Sequence, residues 1–120
     1  MDSKDFIASV NKDIIETNME IYTNLFQRLV TKDINEIKDP NWRKAQTLFN
    51  SLTSEQRDIL FSIMRNAMVA TTSKFLGVLD GSCYFGQGEE FLLYEKNNSI
   101  PLNIDLQDLF LAEEELKTQK

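Results

Sequence analysis

Through residues 4–31 apolar side chains return every three, four or seven positions, a rhythm that suits a helix and not a strand. Ile7, Val10, Ile14, Ile21, Leu25 and Leu29 make the stripe, and Phe6, Ile15, Met19, Tyr22, Phe26 and Val30 widen it. The spacing predicts one long helix, with room for a break near Asn11. Asp2 or Ser3 can cap its start, and Asp5 suits the positive end of the helix dipole. A rod of that length spans roughly 40 Å. Everything else in a chain of 120 residues must pack along it or beside it.

Two further starts are written plainly. Asp39-Pro40 pairs a capping carboxylate with a first-turn proline, and Trp42, Ala45, Leu48, Phe49 and Leu52 give the short helix that follows an apolar face. Thr53-Ser54-Glu55-Gln56 has the form of a capping box. It opens a helix predicted over 54–79, with Leu60, Ile63, Met64, Ala67, Thr71, Phe75 and Val78 facing the core. Alanines, threonines and Ser73 keep one stretch narrow enough for another helix to approach closely. Asp80-Gly81 ends it, because Gly accepts the left-handed conformation of a helix terminus.

Beyond Gly81 the pattern changes. Residues 90–96 and 99–104 read as two strands joined at Asn97-Asn98, since Asn tolerates positive φ. Pro101 would confine the second strand to an edge. A last helix over 106–117 carries Leu106, Leu109, Phe110 and Leu116. The expected class is mostly α with a minor β part (α+β). The expected arrangement is a bundle of three or four helices with one small hairpin, in a single domain over residues 1–120.

Histidine is absent, which removes the usual activation of a serine or cysteine nucleophile and the commonest metal ligand. Cys83 is the one cysteine; no cation neighbours it in sequence to lower its pKa, so it reads as a structural residue that Ser could replace. Gly86-Gln87-Gly88 lacks the strand and helix of a dinucleotide fingerprint and reads as a loop. Asp13, Glu16 and Glu20 read as a solvated acidic face, because bundle di-metal centres need Glu-x-x-His pairs that cannot occur here. No catalytic, cofactor-binding or metal-binding residue is assigned.

Charge divides the chain. Residues 41–75 carry five basic and two acidic side chains, whereas 76–120 carry three basic and nine acidic. A net charge of −6 disfavours nucleic acid. No apolar stretch approaches membrane-spanning length, and the start lacks a secretion signal, so a cytoplasmic protein is expected. Arg57, Arg65 and Lys74 lie roughly on one side of a helix, where they could bind phosphate, but the better readings are that they face the acidic C-terminal part of the same fold or lie in solvent. If the hairpin and last helix are neighbours, Glu89, Glu90, Glu95, Asp105 and Asp108 form one acidic surface. A basic protein is its natural partner, because such surfaces steer association.

Small size, acidity, Gly-Glu-Glu-Phe-Leu-Leu-Tyr at 88–94 and Leu-Gln-Asp-Leu-Phe-Leu at 106–111 together give a layout that resembles the small bacterial immunity proteins over residues 76–120. The resemblance implies a non-enzymatic protein that binds and neutralises a cognate toxin. The acidic contact residues come from the charge pattern, not from the resemblance. Two other readings are a helical regulatory or scaffold module that forms a homodimer through its long first helix, and a small enzyme relying on carboxylates.

Overall fold

A computed structural model describes residues 1–118. The first rod is helical throughout but not uniform. Helix α1, Ser3–Ser9, passes into a π-helical segment, Val10–Glu16, and continues as α2, Thr17–Leu29. Asp2 caps the start by accepting from the Asp5 amide at 2.8 Å. The interruption expected near Asn11 is therefore a widening of the helix rather than a break. At its end the Thr17 hydroxyl donates to the Lys12 carbonyl, five residues back. A short 3₁₀ turn, Ile34–Glu36, leads to α3, Pro40–Ser51, then α4, Ser54–Asp80, and finally α5, Leu106–Thr118.

The predicted caps are in place. Asp39 accepts from the Asn41 amide at 2.8 Å. Thr53 and Gln56 exchange both bonds of the capping box, at 3.1 and 2.9 Å, and Gly81 closes α4 at φ +81°. Buried Gln46 of α3 donates to the carbonyls of Leu29 and Lys32, at 2.8 and 2.7 Å, and so satisfies the end of α2.

The rod and α4 lie side by side and antiparallel. Ile7 packs with Leu76 in the main core, while Phe26 meets Phe61 at 6.1 Å towards the other end. Helix α5 covers the first end, where Ile7, Val10, Ile15, Leu76, Leu106 and Phe110 are buried together. Helix α3 covers the second, where Phe26 contacts Trp42 and Phe49. The radius of gyration is 18.3 Å, against about 14 Å for a compact globule of this length. The molecule is accordingly long, 54 × 35 × 27 Å.

Three expectations need correcting. No β-strand occurs among the described residues, so the small hairpin is absent and the described chain is all-helical apart from turns and loops. The chain does reverse at Asn97, at φ +67°. The two arms, however, share only the Leu102 amide to Leu93 carbonyl bond, at 2.8 Å, among the backbone pairings outside helices. Pro101 has no N–H to offer, and the side chain of Asn103 occupies the place of a ladder. The second correction concerns the rod. Ile14 and Ile21 are exposed and Ile15 is fully buried instead. A π segment bonds i to i+5, so Val10 is followed inward by Ile15 rather than by Ile14. The third concerns α4: Ile63 and Phe75 are 59% and 63% exposed. Its buried side instead carries Met68, Val69, Ser73 and Leu76, because α5 approaches from the flank opposite the predicted stripe.

Candidate functional site

Between Gly81 and Asp105 the chain has no regular structure. A loop this long is commonly functional or disordered, and this one is tied down. Asn103, buried, accepts from the Leu93 amide at 2.6 Å. Its amide nitrogen donates to the Phe91 carbonyl at 2.7 Å and to the Leu79 carbonyl at the end of α4. One side chain thus holds both arms of the loop to the helix they leave. Ser3 adds a bond from its hydroxyl to the Leu102 carbonyl, at 3.0 Å.

A second polar hub sets the start of α5. Asp80 accepts from the Gln107 amide at 2.8 Å and caps the helix. The Gln107 side chain donates to Ser73 Oγ at 3.2 Å, and its oxygen accepts from the Ser82 hydroxyl at 2.9 Å. Cys83, half-buried, packs beneath it, with Gln107 Nε2 3.8 Å from the sulfur. Gly77 permits this closeness, since a Cβ there would stand 2.5 Å from Cys83 Sγ.

With its backbone held inside, the loop turns its large side chains outward. Tyr84, Phe85, Phe91, Leu92, Tyr94, Ile100 and Ile104 are all exposed, Tyr84 by 78% and Ile104 by 74%. Only Leu93 of its Phe91–Tyr94 run packs against the main core. Phe85 and Phe91 form an edge-on pair at 5.9 Å.

All five residues of the expected acidic surface lie at this end of the molecule and are exposed. Glu89, Glu90 and Glu95 sit on the loop, Asp105 at its exit, and Asp108 in the first turn of α5, where the helix dipole favours it. Two are engaged locally. Glu89 accepts from the Gln87 amide at 2.7 Å, and Glu95 accepts from the N-terminal ammonium at 3.1 Å. The apolar half of the surface was not anticipated from the sequence. Its signal was the series of large apolar residues following no helical period through a glycine- and asparagine-rich stretch.

A second set of charges pairs across the helices. Arg65 Nη2 lies 3.1 Å from both carboxylate oxygens of buried Glu114 and 2.8 Å from Glu16 Oε1. Lys117 reaches Glu16 and Glu114, at 3.1 and 3.3 Å. Buried Asn11 donates to Glu113 at 2.6 Å. Arg65 thus does face the acidic C-terminal part, as the charge pattern suggested. Arg57 instead lies 4.3 Å over the Phe49 ring, and Lys74 is exposed. Glu16, read as part of a solvated face, is half of an ion pair. The described residues contain no group of acidic and cysteine side chains arranged to hold a metal ion.

Arg65 hydrogen-bonding holds the Glu16 carboxyl below its usual 4.5, with Lys117 assisting. A lowered pKa stabilises the fold above about pH 4.5, and that contribution disappears as pH falls through the lowered value. Glu16 is about half exposed, so solvent screening keeps the effect small. Glu16→Gln should flatten part of the acid limb in urea midpoints measured between about pH 5 and pH 3. An unchanged limb would show that the pair contributes nothing.

No protein-family model, curated protein or solved structure matches this chain. No helix among the described residues is long and apolar enough to cross a membrane.

Proposed function

We propose that the chain is a non-enzymatic binding protein that engages a basic partner protein through the 81–105 loop and the first turn of α5, in the manner of an immunity protein neutralising a toxin. The observation that carries this reading is the pairing of exposed aromatic and aliphatic side chains with carboxylates on a loop whose backbone is fastened by Asn103. Aromatic anchors supply much of the affinity at protein interfaces. Rim carboxylates chiefly raise the rate of encounter with a cationic partner. A fastened loop also loses less conformational freedom on binding than a mobile one.

The test uses affinity capture from the native host followed by kinetics at low and high salt. The expected partner is basic. Its association should slow as salt rises, because exposed charges are screened over about 8 Å at physiological ionic strength. Reversing Glu89, Glu90 and Asp108 to Lys should slow association, and Tyr84→Ala with Leu92→Ala should speed dissociation. Salt-independent association with normal binding by the triple reversal would overturn the electrostatic part. Toxicity of the partner unrelieved by co-expression would overturn the immunity part.

A further inference from the structure

Helix α4 carries apolar residues on more than one side, and it is covered on only part of its circumference. Helix α5 takes one flank, through Val69, Ser73 and Leu76, and the rod takes the next, through Phe61 and Met68. The remaining side is open to solvent. On it Ile63, Ala67, Thr71 and Phe75 follow one another at intervals of four. Ile14 of the rod lies alongside, and it is exposed, as is Ile21 two turns further on. A shallow apolar groove of about 340 Å³ runs between the two helices, lined in part by Ile14, Asn18, Ala67 and Thr71.

We propose that a second copy of this chain covers this face, so that the rod and α4 of each copy assemble into a four-helix layer. Three features favour a copy over a different occupant. First, the strip carries no carboxylate. Between Ile59 and Phe75 the charged residues of α4 are Arg65, which points to Glu16 and Glu114 on the opposite side, and exposed Lys74 near one end of the strip. Two chains of net charge −6 can approach along such a strip without setting like charges against each other. A basic partner would find no carboxylate on α4 here to attract it.

Second, the row reads large, small, small, large, and reads the same reversed. A two-fold contact uses the same patch on both subunits. Antiparallel pairing centred between Ala67 and Thr71 sets Ile63 beside Phe75 of the partner subunit at both ends. The small residues then let the helix backbones approach in the middle. Third, the area suffices. Helix α4 has 27 residues, hence a length of about 40 Å. With the rod at a normal interaxial distance, the strip offers on the order of 600–800 Å² per copy, near the ~800 Å² of a standard stable interface.

This surface is separate from the aromatic loop, so either proposal can fail alone. The experiment is sedimentation equilibrium of the full chain at about 50 µM, well above a micromolar dissociation constant. The expected mass is twice 13.9 kDa. Ile63→Glu combined with Phe75→Glu should weaken self-association at least 100-fold while leaving helical circular dichroism and the urea midpoint of the monomer unchanged, since both side chains are exposed in one copy. Tyr84→Ser with Leu92→Ser should leave the mass doubled. A monomer at this concentration would overturn the proposal. So would a dimer that survives the helix variant or is dissociated by the loop variant.

Discussion

Replacing Phe110 with Ala should cost about 3–5 kcal/mol of stability, the range for deleting a buried aromatic ring that leaves a cavity. Phe110 has no exposed surface and packs in one cluster with Ile7, Val10, Ile15, Leu76 and Leu106. That cluster joins α1, the π segment, α4 and α5, so no single element can shift to fill the space. A domain of this size holds only about 5–15 kcal/mol in total. The variant should therefore show a sharply lowered urea midpoint. A loss below about 1 kcal/mol would show that the cluster collapses freely around the hole.

The second large effect is expected at Asn103. Asn103→Leu keeps the branched shape of the side chain but strips partners from the Leu93 amide and the carbonyls of Phe91 and Leu79. Buried backbone groups left unpaired cost about 1–3 kcal/mol each, less where the loop can open to water. A net loss of about 2–4 kcal/mol is expected. It should be concentrated in the loop: amide exchange at Leu93 should accelerate while the α4 amides near Met68 stay protected. Asn103→Asp should fare little better, since a carboxylate can accept from Leu93 but cannot donate to two carbonyls. Partner binding should fall with both. Retained protection at Leu93 in Asn103→Leu would show that the loop is held by something other than this side chain.

Local signals were legible wherever the chemistry is local. The Asp39, Thr53 and Gly81 boundaries depend on side chains bonding their own neighbours, and each stands where the sequence put it. Which face of a helix is buried depends on what arrives from elsewhere. For α4 the period was right and the covered side was not, because both sides are apolar and α5 chose between them. The hairpin was misread for a related reason. Its turn at Asn97 is local, whereas the replacement of a ladder by Asn103 depends on a carbonyl of α4 twenty-four residues away. At the candidate site the exposed acids were legible from charge. Phe91 and Tyr94 fall in a segment that reads as a strand and forms none, and Arg65 cannot be matched to Glu16 and Glu114 before the helices are placed.

The π segment carries a consequence for how the chain tolerates changes in length. One residue is about 100° of rotation in an α-helix, and the rod must serve two separate clusters, Ile7 and Val10 at one end and Phe26 at the other. The widened turn acts as a phase adjuster between them. Removing a single exposed residue there, such as Lys12 or Asp13, would restore ordinary winding and leave Phe26 close to its present bearing, whereas removing exposed Asn24 from α2 with the π segment kept would turn Phe26 by roughly a quarter of a circle. Phe26 would then swing away from Phe49 and Phe61 although no core side chain had been altered. Outside the widened turn a surface deletion in this rod is a mutation of the interior, whereas the turn itself has one residue to spare.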